Sequence, residues 1–252
     1  MGWPRTAERW LGLLRSLTIY WRPGRQRGLR RLYRAFVGPG DLVFDVGAHL
    51  GDRSAAFAAL GARVIALEPQ PDVRRWLRRL VGWRERVTVL GDAVGRAPGT
   101  ARLAVSRRNP TVSTMAEGWR STVQEANPSF QSVRWQDTVE VPVTTLDALI
   151  ETYGVPRFCK IDVEGFEAEV LAGLSRPVPG VSIEFVAGAA DVAVACVRRL
   201  AALGRYEFNA IPGEEREFVS ERWLEADQMV AWLTAGAEGA SSGDVYARLA
   251  HG

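Results

Sequence analysis

Short apolar segments alternate with helix-forming segments from Asp41 onward, and this alternation constrains the fold more than any other feature of the chain. Seven segments are predicted strands: Leu42–Val46, Arg63–Leu67, Arg86–Leu90, Arg157–Val163, Val181–Phe185, Tyr206–Ile211 and Asp244–Leu249. Helices are predicted at Arg53–Leu60, Pro71–Leu80, Leu146–Tyr153, Glu164–Leu174, Val192–Leu203 and near Arg222–Leu233. Short apolar strands joined by helices pair in parallel through right-handed crossovers. The sequence therefore predicts an α/β fold with a doubly wound sheet.

A polar insertion at about residues 106–137 interrupts this alternation. It is flanked by the β-like segments Thr100–Val105 and Thr138–Val143 and contains few apolar residues. Long loops without regular structure are uncommon in compact domains and are often functional. Two interpretations stay open: a disordered surface insertion, or a substrate lid in which Trp119 and Trp135 help to select the substrate.

The composition is that of a globular chain. Of the 252 residues, 47% are hydrophobic and 24% are charged, which excludes a disordered or collagen-like chain. No apolar run approaches the length that spans a bilayer. The two cysteines, Cys159 and Cys196, do not form a disulfide framework, so we expect a cytoplasmic protein.

The first 37 residues are predicted to form an arginine-rich, amphipathic helical extension to a single domain at residues 38–252. Residues 1–34 contain nine arginines and one acid, Glu8. An apolar stripe at helical spacing comprises Trp3, Ala7, Trp10, Leu14, Leu17 and Trp21. We favour a helix that buries this stripe against the domain. The alternative is peripheral contact with an anionic membrane, or with a phosphate-rich partner.

The turn after the first strand predicts a ligand site. The strand ends in Asp45, and Gly47, Ala48, His49 and Gly51 lead into the next helix. In doubly wound sheets this turn lies at the carboxyl edge, where ligands bind. The glycines would let a nucleotide approach the backbone, and the helix start offers free N–H groups.

The glycine spacing separates two classes of cofactor. Dinucleotide enzymes use G-x-G-x-x-G, whereas Gly47 and Gly51 are four residues apart and no third glycine follows in register. A carboxylate at Asp45 would repel a pyrophosphate, but it suits the ammonium group of an amino-acid moiety. S-adenosylmethionine carries an ammonium and a sulfonium and no phosphate, so the electrostatics favour it.

Two further acids end the second and third strands. Glu68-Pro69 follows Asp45 by 23 positions, the distance at which an acid accepts hydrogen bonds from ribose hydroxyls. Asp92, followed by Ala93, is placed to accept a bond from the adenine amino group. A lone acid after a strand is usually a solvated turn residue. Three acids at the ends of consecutive strands instead predict a cofactor site.

A second motif ends the fourth strand. Lys160 is the only lysine of the chain, and Asp162 and Glu164 follow it at alternate positions. Period-two alternation places all three on one side of the strand. They predict a charged cleft beside the first turn, since such residues are costly in a core. A salt-bridged rim that orders the loop is the alternative.

These motifs together resemble the FkbM-type methyltransferase family, over roughly residues 38–249. The resemblance is carried by Asp45-Val-Gly-Ala-His-Leu-Gly51, Ala66-Leu-Glu-Pro69, Thr145-Leu-Asp147, Lys160-Ile-Asp-Val-Glu-Gly-Phe-Glu167, Ile183-Glu184 and Gly243-Asp-Val-Tyr-Ala247. It implies a class I methyltransferase (Rossmann-like) seven-stranded sheet whose last strand is inserted antiparallel. It also implies S-adenosylmethionine as cofactor and, commonly, a hydroxyl acceptor on a sugar or secondary metabolite.

On this basis we expect an O-methyltransferase. Asp162, Glu164 or His49 would accept the hydroxyl proton, and Lys160 would tune a carboxylate or hold an anionic group. His49 and Asp162 are also expected to contact the cofactor. Asp162 and Glu164 do not form a clear ligand set, so no metal is predicted.

Two rival functions remain at this stage: a nicotinamide-dependent oxidoreductase on a Rossmann sheet, and a non-catalytic nucleotide-binding scaffold. The expected partner is a small hydroxyl-bearing molecule. Nucleic acid is not expected, and a homo-oligomer is left open.

Overall fold

A computed structural model describes residues 5–213 and 215–250, with side chains from residue 11 onward. Trp3 and the side chains of Ala7 and Trp10 therefore lie outside the described part. The helices are α1 Arg5–Tyr20, α2 Arg25–Tyr33, α3 Asp52–Ala59, α4 Pro71–Leu80, α5 Glu117–Ala126, α6 Leu146–Tyr153, α7 Glu167–Ala172, α8 Ala190–Leu203 and α9 Ala226–Thr234. Short 3-10 turns lie at Pro110–Val112, Pro128–Phe130 and Ala237–Gly239.

The strands form two sheets. They are β1 Leu42–Val46, β2 Arg63–Leu67, β3 Val87–Leu90, β4 Ala93–Val94, β5 Gly99–Val105, β6 Asp137–Thr144, β7 Phe158–Ile161, β8 Gly180–Val186, β9 Tyr206–Pro212 and β10 Ser242–Leu249. The main sheet has the order β3-β2-β1-β7-β8-β10-β9, and the smaller one has the order β4-β6-β5. In the main sheet β10 runs antiparallel to both of its neighbours. The predicted doubly wound sheet with an inserted antiparallel last strand is confirmed.

Strand β1 shows why the sheet is covered on both faces. Phe44 and Val46 pack into one apolar cluster, and Val43 packs into the other. All three are at most 1% exposed. Because side chains alternate across a strand, an apolar run is needed where helices cover both faces. Burial of each such side chain contributes about 1.5–3 kcal/mol.

The insertion is folded, which argues against the first of its two interpretations, a disordered surface insertion. It contains α5 and two 3-10 turns, and Trp119 and Val123 of α5 are buried against Val186 and Ala189. The indole N–H of Trp135 donates to the carbonyl of Val112 at 2.7 Å. Both tryptophans therefore stabilise the insertion itself.

The N-terminal segment forms two helices, α1 and α2. Leu29 and Tyr33 of α2 pack into the same cluster as Val43 and Phe57, so α2 covers one face of the sheet. In α1 the predicted stripe is wrong in part, because Leu14 is exposed and Leu13 is buried instead. The division into an extension and a domain stays a prediction. No helix among the described residues is long and apolar enough to cross a membrane.

Candidate active site

A cleft at the carboxyl ends of β1, β2, β7 and β8 collects most of the predicted site residues. Its walls include Asp45, Gly47, Ala48, His49, Glu68, Pro69, Asp92, Ala93, Lys160, Asp162 and Glu164. The cleft encloses about 1210 Å³ including its open mouth.

Asp45 lies at the bottom of the cleft and is fully buried. Its Oδ2 accepts a hydrogen bond from Ser54 at the start of α3. Its Oδ1 has no hydrogen-bond partner among the described residues. Burial raises the pKa of Asp45, and the positive charge of Lys160 acts against this rise. A buried oxygen without a donor favours a ligand that brings a cationic N–H group.

Glu68 holds the first turn together at the end of β2. Its two carboxylate oxygens accept the backbone N–H groups of His49, at 3.0 Å, and Gln70, at 2.8 Å. Burial raises the pKa of Glu68 to about 7, although these hydrogen bonds favour the charged form. Each oxygen keeps a second lone pair, so the carboxylate can also accept hydroxyl groups from a ligand.

Gly47 and Gly51 both have positive φ angles, +80° and +78°, but their surroundings differ. Gly47 lines the cleft, and a Cβ there would lie 1.8 Å from the carbonyl oxygen of Asp162. Gly51 does not line the cleft. A Cβ there would lie 2.5 Å from Leu77 of α4 and 3.0 Å from Val81. The structure therefore assigns Gly51 to packing between α3 and α4, which differs from the predicted cofactor approach.

His49 faces the cleft from a left-handed backbone conformation, with φ +47°. Burial lowers the pKa of His49 to about 4. The imidazole is therefore neutral at neutral pH, and its Nε2 has no hydrogen-bond partner among the residues described. With this low pKa, His49 is a weak proton acceptor, better suited to contact a ligand than to deprotonate one.

The buried Lys160 forms an ion pair of 2.7 Å with Asp162, whose side chain is half-buried. Lys160 lies on β7 opposite Asp45 of β1. Burial acts to raise the pKa of Asp162, but Lys160 outweighs it, so the pKa is below its ordinary value. Asp162 is therefore charged and paired, which makes it a poor base.

Glu164 differs from Asp162 although the two are only two residues apart. The strand ends at Ile161, earlier than predicted, and Glu164 lies in the following loop with φ +55°. Its side chain is 9% exposed, and its carboxylate forms no hydrogen bond or ion pair with any described residue. Burial raises the pKa of Glu164, and the negative charge of Asp162 raises it further.

A third carboxylate, Glu184 of β8, joins these two. The carboxylate oxygens of Asp162, Glu164 and Glu184 lie within 4.8 Å of one another. Burial raises the pKa of Glu184, and the charge of Glu164 adds to this effect. Oε2 of Glu184 lacks a hydrogen-bond partner in the described part of the chain. We refer to these three residues as the carboxylate cluster.

Sequence reasoning missed several residues that line the cleft. They are Tyr20, Asp52, Arg53, Thr111, Ser113, Met115, Glu184 and Asp244. Glu184 and Asp244 had been noted only as family motifs. The two residues lie opposite each other on the neighbouring strands β8 and β10, and this placement could have identified them as site residues. Tyr20 and the residues of the insertion could not be recognised from the sequence, because they are far along the chain from the strand ends that form the cleft.

Arg53 connects these additional residues. Its guanidinium lies 3.9 Å from a carboxylate oxygen of Asp52 and 3.7 Å from one of Asp244. The cleft thus contains two basic side chains, Arg53 and Lys160, among eight acids: Asp45, Asp52, Glu68, Asp92, Asp162, Glu164, Glu184 and Asp244. This excess of acids favours a cationic ligand.

Comparisons with known proteins point to one family. The model of the methyltransferase FkbM domain matches residues 45–233. The hexuronic acid methyltransferase AglP of Haloferax volcanii is 28% identical over 181 residues, covering 69% of this chain and 67% of that protein. The matched range includes the first turn and the carboxylate cluster, and leaves α1 and α2 outside.

Two solved structures are similar at low sequence identity. A TehB-like SAM-dependent methyltransferase from Corynebacterium glutamicum has a TM-score of 0.49 at 13% identity, covering 97% of this chain and 96% of that one. A precorrin-6y C5,15-methyltransferase from Geobacter metallireducens has a TM-score of 0.47 at 12% identity, with coverages of 90% and 88%.

Proposed function

We propose that this chain, which belongs to the FkbM methyltransferase family, methylates a hydroxyl group of a sugar or secondary-metabolite acceptor with S-adenosylmethionine as donor. The chain is a methyltransferase by family, which removes the oxidoreductase alternative. The acceptor class and the methylated oxygen are our proposal. A hexuronic acid methyltransferase at 28% identity supports a sugar acceptor.

The donor fits the half of the cleft formed by the first three strands. The unpartnered Oδ1 of Asp45 suits the donor's ammonium group, and Glu68 suits the ribose hydroxyls. Asp92 and Ala93 line the same half, beyond Glu68, where we place the adenine. The donor would also contact Gly47, Ala48, His49, Pro69 and Asp162, which line the cleft.

The observation that carries the proposal is the buried, unpaired carboxylate of Glu164. A base is most effective when its pKa lies near the working pH. Burial and the neighbouring Asp162 move the pKa of Glu164 in that direction, whereas Lys160 neutralises Asp162 and burial weakens His49. We therefore assign Glu164 as the general base, with Lys160 holding Asp162 in its charged form and Asp162 raising the pKa of Glu164.

The reaction then requires alignment and one proton transfer. When bound, S-adenosylmethionine supplies an electrophilic methyl group on its sulfonium. The cleft holds the acceptor oxygen in line with that methyl group, so that an oxygen–carbon bond forms as the carbon–sulfur bond breaks. Glu164 removes the hydroxyl proton and keeps it on a carboxylate oxygen until solvent takes it.

The test is a methyl-transfer assay with isotopically labelled donor against a panel of sugars that includes hexuronic acids. We expect the substitution Glu164→Gln to lower kcat by roughly 10²–10⁴-fold, while the affinity for S-adenosylhomocysteine stays within a few fold. Because only the ionised carboxylate is a base, kcat/KM of the wild type should fall as pH falls, with a midpoint above 4.5, the ordinary pKa of glutamate.

The matched control is Glu169→Gln, which changes an exposed carboxylate paired with Arg96 and should leave kcat unchanged. Turnover of Glu164→Gln equal to that of the wild type would contradict the assignment. Complete loss of wild-type turnover in EDTA would also contradict it, because the three carboxylates would then act as metal ligands. A chain that binds S-adenosylhomocysteine but methylates no sugar of the panel would contradict a sugar acceptor and leave the secondary-metabolite acceptor.

A further inference from the structure

Helix α1 has two distinct faces. Leu11, Leu14, Arg15, Thr18 and Ile19 are exposed, and they occupy one continuous arc at helical spacing. The opposite arc carries Gly12, Leu13, Ser16, Leu17 and Tyr20, which are buried or half-buried. We refer to the first arc as the outer face of α1.

The outer face exposes large apolar side chains to solvent. Leu11 is 54% exposed, Leu14 is 52% exposed and Ile19 is 40% exposed. Among the described residues, the other large apolar side chains with comparable exposure are Trp83 and Val155, which are scattered singly. Single exposed apolar residues need no explanation, but a group of three on one helix face is typical of an interaction surface.

Arg15 lies within this apolar arc, and further exposed arginines follow α1 in the sequence. Exposed arginines on α1, α2 and the segment that joins or follows them are Arg15, Arg22, Arg27, Arg31 and Arg34. In residues 1–34 the only acid is Glu8, against nine arginines. A helix with an apolar arc and arginines beside it has the composition of helices that lie in a membrane interface.

We propose that the outer face of α1 docks on the surface of an anionic lipid bilayer. Leu11, Leu14 and Ile19 would enter the boundary between headgroups and acyl chains, while the arginines contact anionic headgroups. A second copy of the chain is a poorer partner, since self-pairing would bring two arginine-rich surfaces together. A nucleic acid would engage the arginines but not the three apolar side chains.

The buried face of α1 connects this surface to the cleft. Gly12 packs against the backbone carbonyls of Arg107 and Arg108, so α1 lies directly on the insertion. Tyr20 lines the cleft and contacts His49 edge-on, with ring centroids 5.3 Å apart. The indole N–H of Trp21 donates to the carbonyl of Leu50 at 3.2 Å. Docking through the outer face would therefore hold the first turn about one helix diameter away from the lipid surface.

The test is cosedimentation of the full chain with phosphatidylcholine vesicles, prepared with and without phosphatidylserine. We expect binding to the anionic vesicles alone, weakened by salt. The triple variant Leu11→Ser/Leu14→Ser/Ile19→Ser should bind at least about tenfold more weakly, because its apolar arc is lost. The control Trp83→Ser/Val155→Ser removes exposed apolar side chains elsewhere and should bind like the wild type.

Because the substituted side chains are exposed, the triple variant should melt at the wild-type temperature, which separates lost docking from lost folding. Failure of the wild type to bind anionic vesicles would overturn the proposal. Wild-type binding by the triple variant would do the same, since charge alone would then explain attachment. A wild-type dimer that becomes monomeric in the triple variant, seen by analytical ultracentrifugation, would assign the outer face to a second copy instead.

Discussion

At the scale of single residues, the acids of the cleft differ because their partners differ. Asp162 has a lysine at 2.7 Å and is held in its charged form. Glu68 has two backbone N–H groups, which lower its pKa less than burial raises it. Glu164 has neither, and its pKa is raised well above the ordinary value. The same functional group thus serves three roles in one cleft: Asp162 is a fixed charge, Glu68 accepts hydrogen bonds and Glu164 accepts a proton.

The first prediction concerns Glu68, which holds both the first turn and the proposed ribose site. The substitution Glu68→Gln should weaken the binding of S-adenosylhomocysteine by roughly tenfold or more, since a hydrogen bond to a charged group is worth about 1.5–3 kcal/mol. Isothermal titration calorimetry measures this change. The substitution Asp72→Asn, at an exposed acid of α4, should leave the affinity unaltered. An affinity of Glu68→Gln equal to that of the wild type would exclude Glu68 from the donor site.

At this scale, eleven of the twelve site residues predicted from the sequence line the cleft, all except Gly51. Asp45, Glu68, Asp92 and Asp162 each lie at or just beyond a strand end, and parallel strands bring their carboxyl ends to one edge of the sheet. The sequence could not distinguish the roles of Asp162 and Glu164. Those roles depend on which carboxylate reaches Lys160, and an early strand end decides that geometry.

At the scale of elements, the first turn depends on two glycines for different reasons. Gly47 lets β1 pass close to the backbone after β7, at Asp162. Gly51 begins α3 and lets α4 pack against it through Leu77 and Val81. The turn is therefore fixed by contacts with the segment after β7 and with α4, as well as by its own conformation.

The second prediction separates these contributions for Gly51. The substitution Gly51→Ala combines a strained φ of +78° with a clash against Leu77, so the free energy of unfolding should fall by about 2–5 kcal/mol. The matched control is Gly40→Ala, where φ is +85° but no atom lies within 4 Å of the added Cβ. The substitution Gly40→Ala should lower the free energy of unfolding only by the backbone strain, about 1–2 kcal/mol. If urea unfolding shows the same loss of unfolding free energy for both variants, a packing role for Gly51 is contradicted.

The helices and strands of the sheet were predictable, and those of the insertion were not. β1 and β2 have the predicted bounds, because each is an apolar run between charged or turn residues. Helix α5 is a short segment whose Trp119 and Val123 are buried against Val186, far away in the sequence. Its stability comes from that tertiary contact, which local pattern does not reveal. The misplaced α1 stripe has the same origin, since packing against Leu50 of the first turn and Val73 of α4 selected Leu13 over Leu14.

At the scale of the whole molecule, buried acids make stability depend on pH. The pKa values of Glu68 and Glu167 rise from 4.5 to about 7. Asp45, Glu164 and Glu184 are raised as well. In the unfolded chain these groups release their protons near their ordinary pKa values. Between about pH 5 and pH 7 the folded chain therefore binds more protons than the unfolded chain.

The third prediction follows from this proton balance. Stability that is present below the unfolded pKa is lost as pH rises through the folded pKa, so the free energy of unfolding should fall from about pH 5 to pH 7. For each extra proton that the folded chain binds relative to the unfolded chain, the free energy of unfolding falls by about 1.4 kcal/mol per pH unit. His49 acts in the opposite direction, because its pKa is lowered to about 4, but it accounts for one proton at most.

Urea unfolding at several pH values measures this slope. The variant Glu167→Gln keeps an acceptor oxygen for the N–H groups of Val163 and Gly165 and removes one titrating group, so its slope should be shallower. A stability that increases with pH across this interval would contradict the prediction.

The burial of Lys160 has a consequence for how the molecule can be regulated. It is the only lysine of the chain, 1% exposed and paired with Asp162. The basic side chains of α1 and α2 are therefore all guanidinium groups, which keep their proton at every physiological pH. Lysine acetylation cannot remove charge from these helices, and neither can a change in cellular pH. If they bind a lipid surface, the lipid composition and the surrounding salt would control that binding, because the positive charge of the arginines is fixed.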